Sequence, residues 1–180
     1  MTGRTLILGG VRSGKSRLAE RLAHDSALPV TYVATAHAGD EEMRQRIAAH
    51  QRRRPPDWRL IEEPIALAGV IARESAPDRC LLVECLTLWL TNLLMKNDET
   101  GLSDETAALL NAVATAPGEL ILVGNETNLG VIPLDALTRR FCDLAGTLHQ
   151  DLAARCDRVI LTVAGLPLTV KTPDIQGGAA

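Results

Sequence analysis

Aromatic residues are the scarcest class in this chain of 180 residues: one Phe, one Tyr and two Trp. Proteins that hold single-stranded nucleic acid stack bases on aromatic platforms, and four such side chains scattered along the sequence do not build one. An excess of one charge is also missing. Nineteen Lys and Arg stand against 22 Asp and Glu, a net charge of −3. That balance argues against a general polyanion binder while leaving room for a local basic patch, so no nucleic-acid partner is expected. Long apolar runs are lacking. "LTLWLTNLLM" reaches only about half of the ~20 residues a membrane span requires and carries polar side chains. "MTGRTLILGG" has too short an apolar stretch for a secretory leader. The expectation is therefore no membrane span and a cytoplasmic location. Paired cysteine motifs are absent too: Cys80, Cys85, Cys142 and Cys156 form no C-x-x-C. Neither a zinc knuckle nor a redox dithiol is indicated, and core thiols in a reducing compartment suffice.

Hydrophobic residues make up 46%, enough for one self-sufficient core, so residues 1–180 are read as a single domain with a frayed tail over about 173–180. Short apolar runs alternate with amphipathic ones. "TLILGG", "PVTYVAT", "WRLIEE", "RCLLVEC", "ELILVGN", "DRVILTVAG" and "LPLTVK" read as strands. "SGKSRLAERLAHD", "GDEEMRQRIAAHQRR" (with Asp40 as N-cap), "IALAGVIARES", "LTLWLTNLLMKN", "ETAALLNAVATA" and the segment Leu134 to Cys156 read as helices, and "DETGLSD" as a loop. Strands that are apolar throughout, alternating with helices, predict an α/β domain: a mainly parallel central sheet in three layers.

"GGVRSGKS" fits the phosphate-loop pattern G-x-x-x-x-G-K-[ST] with Gly9, Gly14, Lys15 and Ser16, directly after a strand and opening a helix. Glycines let backbone N–H groups turn inward on phosphate oxygens, the helix N-terminus adds a positive dipole end, Lys15 reaches the β- and γ-phosphates, and the Ser16 hydroxyl can ligate Mg²⁺. Such a site needs an acid near the metal, and Glu84, ending "CLLVE", stands where a neighbouring strand would deliver it. A nucleoside triphosphate is thus the expected ligand.

"RIAAHQRRRPPDW" crowds His50 against Arg52, Arg53 and Arg54. Helical spacing places Met43, Ile47 and His50 on one face, and Pro55 and Pro56 end the helix. One reading is a packed histidine beside a solvated basic helix end, with Glu62 and Glu63 as part of the counter-charge. The other begins from arginine's fork, which suits phosphate. A neutral imidazole among fixed cations resists protonation and stays nucleophilic. It could attack a nucleotide α-phosphorus and leave a histidine–nucleotide phosphoramidate.

With these motifs in order, joined by "YVATA", "ECLTLWLTNLL", "GNETNLGVIP" and "RRFCDLAGTLHQDLA", the chain resembles the bifunctional adenosylcobinamide kinase/adenosylcobinamide-phosphate guanylyltransferases of cobalamin biosynthesis along nearly its whole length. The resemblance implies a P-loop, RecA-like fold and two reactions. First an NTP phosphorylates the aminopropanol hydroxyl of adenosylcobinamide. GTP then guanylylates His50, pyrophosphate leaves, and GMP passes to adenosylcobinamide phosphate to give adenosylcobinamide-GDP. It also implies ATP and GTP as substrates, Mg²⁺ at Ser16 and Glu84, and a propeller-like homotrimer. Nucleotide contacts carry over to Gly9, Gly10, Val11, Arg12, Ser13, Gly14, Lys15 and Ser16. They extend to Ala34, Thr35 and Ala36, to Gln51, Arg52, Arg53 and Arg54, and to Glu62 and Glu84. Three positions depart from the family pattern: Thr127 and Asn128 stand for a Val-Gly pair, and His149 for Asn. Glu84 stands where many relatives carry Asp. A plain P-loop small-molecule kinase and a non-enzymatic nucleotide switch are the alternatives left by the residues alone.

Overall fold

In the computed structural model, residues 3–173 are described, apart from 38, 40, 42, 43, 46, 47, 49–54, 128 and 131. Seven strands form one sheet: β1 (Arg4–Gly9), β2 (Val30–Ala34), β3 (Arg59–Glu62), β4 (Cys80–Glu84), β5 (Glu119–Val123), β6 (Arg158–Val163) and β7 (Leu166–Lys171). Their spatial order is β3-β2-β4-β5-β1-β6-β7. All pairs are parallel except the β6–β7 hairpin. The helices are α1 (Lys15–Asp25), α2 (Leu67–Glu74), α3 (Leu86–Met95), α4 (Glu99–Thr115) and α5 (Ala136–Arg155).

The central strands are predominantly apolar, with Thr5 and Thr31 buried among them, because both sheet faces are covered, and their period of two divides the core. Leu6 and Leu8, Leu81 and Val83, and Leu120 and Leu122 face α2, α3, α4 and α5. Ile7, Cys80, Leu82, Ile121 and Val123 face α1 and Trp58. Trp89 is fully buried at 0% exposure and donates its Nε1–H to the Ile65 carbonyl at 2.7 Å, so its one polar atom is satisfied inside the core. The three-layer α/β expectation agrees with this arrangement.

One expected loop is a helix. "DETGLSD" opens α4, because Asp98 accepts from Gly101 N at 3.0 Å and caps the first turn. A Cβ on Gly101 would lie 2.4 Å from Asp98 Oδ2, so a glycine at this position is what lets the cap close. Helix α5 begins at Ala136, two residues later than expected, where Asp135 caps it through Thr138 N. The helix anticipated around His50 falls largely outside the described residues, as do its Asp40 cap, its Met43–Ile47–His50 face and the tail beyond 173. Residues 41, 44, 45 and 48 are helical.

The starts of β1 and β6 are clamped together at the far edge of the sheet. Arg4 donates from Nε and Nη2 to the two Asp157 oxygens at 3.1 and 2.9 Å, and Arg4 N donates to Asp157 Oδ2 at 2.8 Å. These hydrogen bonds from Arg4 hold the Asp157 carboxyl below its ordinary range. A lowered folded pKa contributes stability that is present above the unfolded value, about 4, and lost as pH falls through the folded value. The pair is part-exposed, so Asp157→Asn should lower stability near pH 7 by roughly 1 kcal/mol or less. The thermal midpoint of that variant should also fall less steeply from pH 5 to pH 2 than that of the unaltered protein. Parallel slopes in the two melting series would contradict this account.

Candidate active site

The phosphate loop links β1 to α1 at the C-terminal edge of the sheet. Gly9 packs so closely on β6 that a Cβ there would sit 2.3 Å from the Thr162 carbonyl oxygen and 2.7 Å from Ser13 Oγ. No side chain fits. Gly14 adopts φ 98°, the left-handed region that favours glycine, and forms the N-cap of α1. That helix has neither a side-chain cap nor an acid in its first turn, so its first amides remain available to an anion. Ser13 Oγ is buried without a hydrogen-bond partner among the described residues, as a group awaiting phosphate oxygens would be. The loop is braced from outside by Gly165 N, which donates to Ser13 O at 2.9 Å, and by Glu126 N, which donates to Gly9 O at 2.9 Å.

Lys15 is buried at 7% exposure. Its Nζ donates to Gly10 O at 2.6 Å. Burial pushes its pKa below the usual lysine value, opposed by Cys85 and Glu84. A triphosphate would restore the charge balance that burial removes.

The acid arrives on β4. Glu84 Oε1 accepts from Ser16 Oγ, and Oε2 accepts from Tyr32 Oη at 3.1 Å. A serine hydroxyl touching a carboxylate at the mouth of a phosphate cradle is a hard-oxygen donor pair that suits Mg²⁺. Among the described residues no cluster of three or more His, Cys, Asp or Glu could hold a metal alone. The pairing Ala34↔Glu84 and Ala34↔Glu62 puts Glu62 and the 34–36 segment on the same sheet edge, with Glu62 exposed.

Thr35 is buried and locks the 34–36 segment to β4. Its Oγ1 donates to Cys85 O at 2.7 Å and accepts from Cys85 N at 2.8 Å. Asn92 on α3 donates to Thr35 O at 2.8 Å and Pro64 O at 3.2 Å. Burial pushes the Cys85 thiol up to about 11 and Cys80 and Cys156 to about 12, which suits packed rather than reactive thiols.

The structure thus gathers Gly9 to Ser16, Ala34 to Ala36, Glu62 and Glu84 at one edge. His50, Gln51, Arg52, Arg53 and Arg54 lie outside the described residues. Motif reading missed Tyr32, Thr162 and Asn92. Tyr32 alone carried a signal, since it lies two residues before Ala34 on the same strand. It also missed the part of Glu126, which follows β5 and approaches His149 Nδ1 at 3.8 Å.

Residues 5–170 match the family described as cobinamide kinase / cobinamide phosphate guanyltransferase. The bifunctional adenosylcobalamin biosynthesis protein CobP of Pseudomonas aeruginosa is 60% identical over 93% of this chain and 97% of its own. The similarly named CobU of Salmonella typhimurium is 40% identical over 92% of this chain and 98% of its own. Among solved structures, the RadB recombinase superposes with a TM-score of 0.51 at 18% identity, covering 88% of this chain and 73% of that one. The type III secretion ATPase EscN of enteropathogenic E. coli gives 0.54 at 11% identity, covering 91% of this chain and 43% of that one. These likenesses concern the fold alone: a P-loop, RecA-like sheet.

Proposed function

This chain belongs to the cobinamide kinase / cobinamide phosphate guanyltransferase family, and on that premise we propose that it phosphorylates the hydroxyl of adenosylcobinamide and then transfers GMP from GTP to the resulting phosphate through a guanylylated His50. The observation that carries the nucleotide half of this reading is the meeting of Ser16 and Glu84 at the mouth of the Lys15 cradle.

In the kinase step the loop amides and the α1 N-terminus bind the β- and γ-phosphates. Lys15 offsets the charge that gathers on the transferred group. Ser16 and Glu84 would hold Mg²⁺, which supplies positive charge to the phosphate oxygens. In the second reaction the neutral His50 ring attacks the α-phosphorus of GTP, and the bond to the bridging oxygen breaks with its electron pair on pyrophosphate. Arg52, Arg53 and Arg54 stabilise the charge on the group in flight, with Gln51 and Glu62 beside the nucleotide. An oxygen of adenosylcobinamide phosphate then displaces the imidazole.

Residues 1–180 act as one domain, in the cytoplasm. The exposed apolar side chains Val163, Leu166, Leu168 and Val170 on the β6–β7 hairpin support a homo-oligomer, read as a trimer.

Incubating the protein with GTP labelled at the α-phosphate, without any acceptor, tests the covalent step. The expected result is protein-bound label that is acid-labile and base-stable, as a phosphoramidate is, with one pyrophosphate released per label bound. Turnover of the γ-phosphate without pyrophosphate would instead favour a plain P-loop kinase.

A further inference from the structure

The kinase reaction requires a proton to leave an alcohol, and neither the cradle nor His50 provides for it. Glu84 is engaged by Ser16 and Tyr32, and Glu62 stands exposed at the end of β3, beyond β2 and β4. Glu63, next in the chain, accepts from Ile65 N and Ala66 N at 2.9 and 2.8 Å. Among the described residues, Glu126 is the acid whose own backbone is hydrogen-bonded to the phosphate loop.

Strand β5 lies between β1 and β4. Beyond its end the chain keeps pace with the phosphate loop: Gly124 N donates to Ile7 O at 3.0 Å and Glu126 N to Gly9 O at 2.9 Å. Asn125 N donates to Thr87 Oγ1 at 2.7 Å and ties the turn to α3. Glu126 is therefore fixed beside the first glycine of the cradle, on the Glu84 side. Its side chain is 16% exposed, and Oε2 lies 3.8 Å from Nδ1 of His149, which is 8% exposed. His149 Nδ1 has no hydrogen-bond partner among the described residues. The ring's other nitrogen packs over Gly124, 3.2 Å from where a Cβ would stand, so a larger residue at 124 would push the imidazole off the carboxylate. Thr127 and Gln150, the residues following Glu126 and His149, both line a cleft of about 610 Å³, with Ile132, Pro133, Asp143 and Thr147 among its walls.

Resting on the kinase reading above, we propose that Glu126 is the general base of the phosphoryl transfer, that His149 positions it, and that the cleft beside them seats the alcohol-bearing acceptor. The acceptor oxygen forms a bond to the γ-phosphorus. The bond from that phosphorus to the β–γ bridging oxygen breaks, its electron pair leaves with the nucleoside diphosphate, and the hydroxyl proton passes to the Glu126 carboxylate and then to water. Burial pushes the His149 pKa down and Glu126 opposes this. Burial thus favours the uncharged ring, whose Nδ1 edge stands towards the carboxylate and steers the base without an added positive charge.

The two reactions of the family differ in what they ask of a base. An alcohol must lose its proton, whereas the acceptor of GMP transfer is an ionised phosphate. Glu126→Gln should therefore lower kinase kcat at least about 10²-fold more than it lowers GMP transfer, in line with general-base contributions. His149→Leu should lower kinase kcat about 10-fold with KM for the nucleotide within about threefold. His149→Asn, whose amide offers a polar N–H towards Glu126 in place of the ring nitrogen, should recover most of that loss. If the Gln variant does not fold by circular dichroism, Glu126→Asp, which draws the carboxylate back by one methylene, is read by the same ratio. Equal loss of both activities, or kinase turnover within threefold of the unaltered protein, would overturn the base. An asparagine variant as slow as the leucine one would overturn the positioning role. Failure of the unaltered protein to phosphorylate adenosylcobinamide would strike the parent reading itself.

Discussion

His50→Asn is expected to bring covalent GMP labelling to background and to lower GMP transfer by at least about 10⁴-fold, the scale on which removal of a nucleophile acts. Asparagine approximates the imidazole in size and keeps a hydrogen-bonding edge, but its amide nitrogen has no basic lone pair to offer phosphorus. The loss would therefore report chemistry rather than packing. Three arginines follow within four residues; in the proposed reaction they would meet the triphosphate with planar donors. Acid-labile label that persists in the asparagine variant would remove His50 from its role, whatever became of the kinase. A variant that takes up no label but still transfers GMP at the original rate would argue for direct transfer without a covalent intermediate.

Lys15→Ala carries the second large effect: kinase kcat/KM should drop about 10²–10³-fold, the loss typical of removing one preorganised donor to a developing anion. Lys15 is 7% exposed, and burial holds its ammonium beneath the usual pKa. In that dry position its attraction for phosphate is stronger than a surface lysine's. The same burial makes the lysine a poor contributor to folding, because a desolvated cation bonded to one carbonyl gains little in return. Thermal midpoint and activity should consequently part company: the alanine variant melts within a few degrees of the unaltered protein while phosphoryl transfer collapses. Lys15→Arg should not restore the rate, since the wider guanidinium does not enter the slot of the compact ammonium. Undiminished turnover in the alanine variant would contradict the cradle.

Much of this was legible in the residues. The phosphate loop announces itself because glycine is required where backbone meets backbone, and Gly9 against Thr162 is such a place. Glu84 stood out as the acid ending an apolar strand, and the fold brings it against Ser16. The three-layer fold followed from strands with no polar alternation. The reading of "DETGLSD" as a loop failed because Asp98 and Gly101 look like turn formers in sequence, yet cap a helix once α4 packs against α2 and α5. The approach of Glu126 to His149 was invisible for a different reason: they lie 23 positions apart in the chain, and only α5 crossing the sheet face lays one over the other.

Local covalent chemistry was determined by the sequence alone: which backbone positions tolerate left-handed geometry, which side chains carry phosphate donors, and which family the order of motifs belongs to. These depend on neighbours a few residues apart, so they survive without three-dimensional information. Tertiary structure decided which acids share an edge with the cradle, which lysine and histidine lose their water, and where a cleft opens. Parallel strands brought together by long crossovers set distances that no spacing in the chain encodes, and desolvation exists only once the layers close.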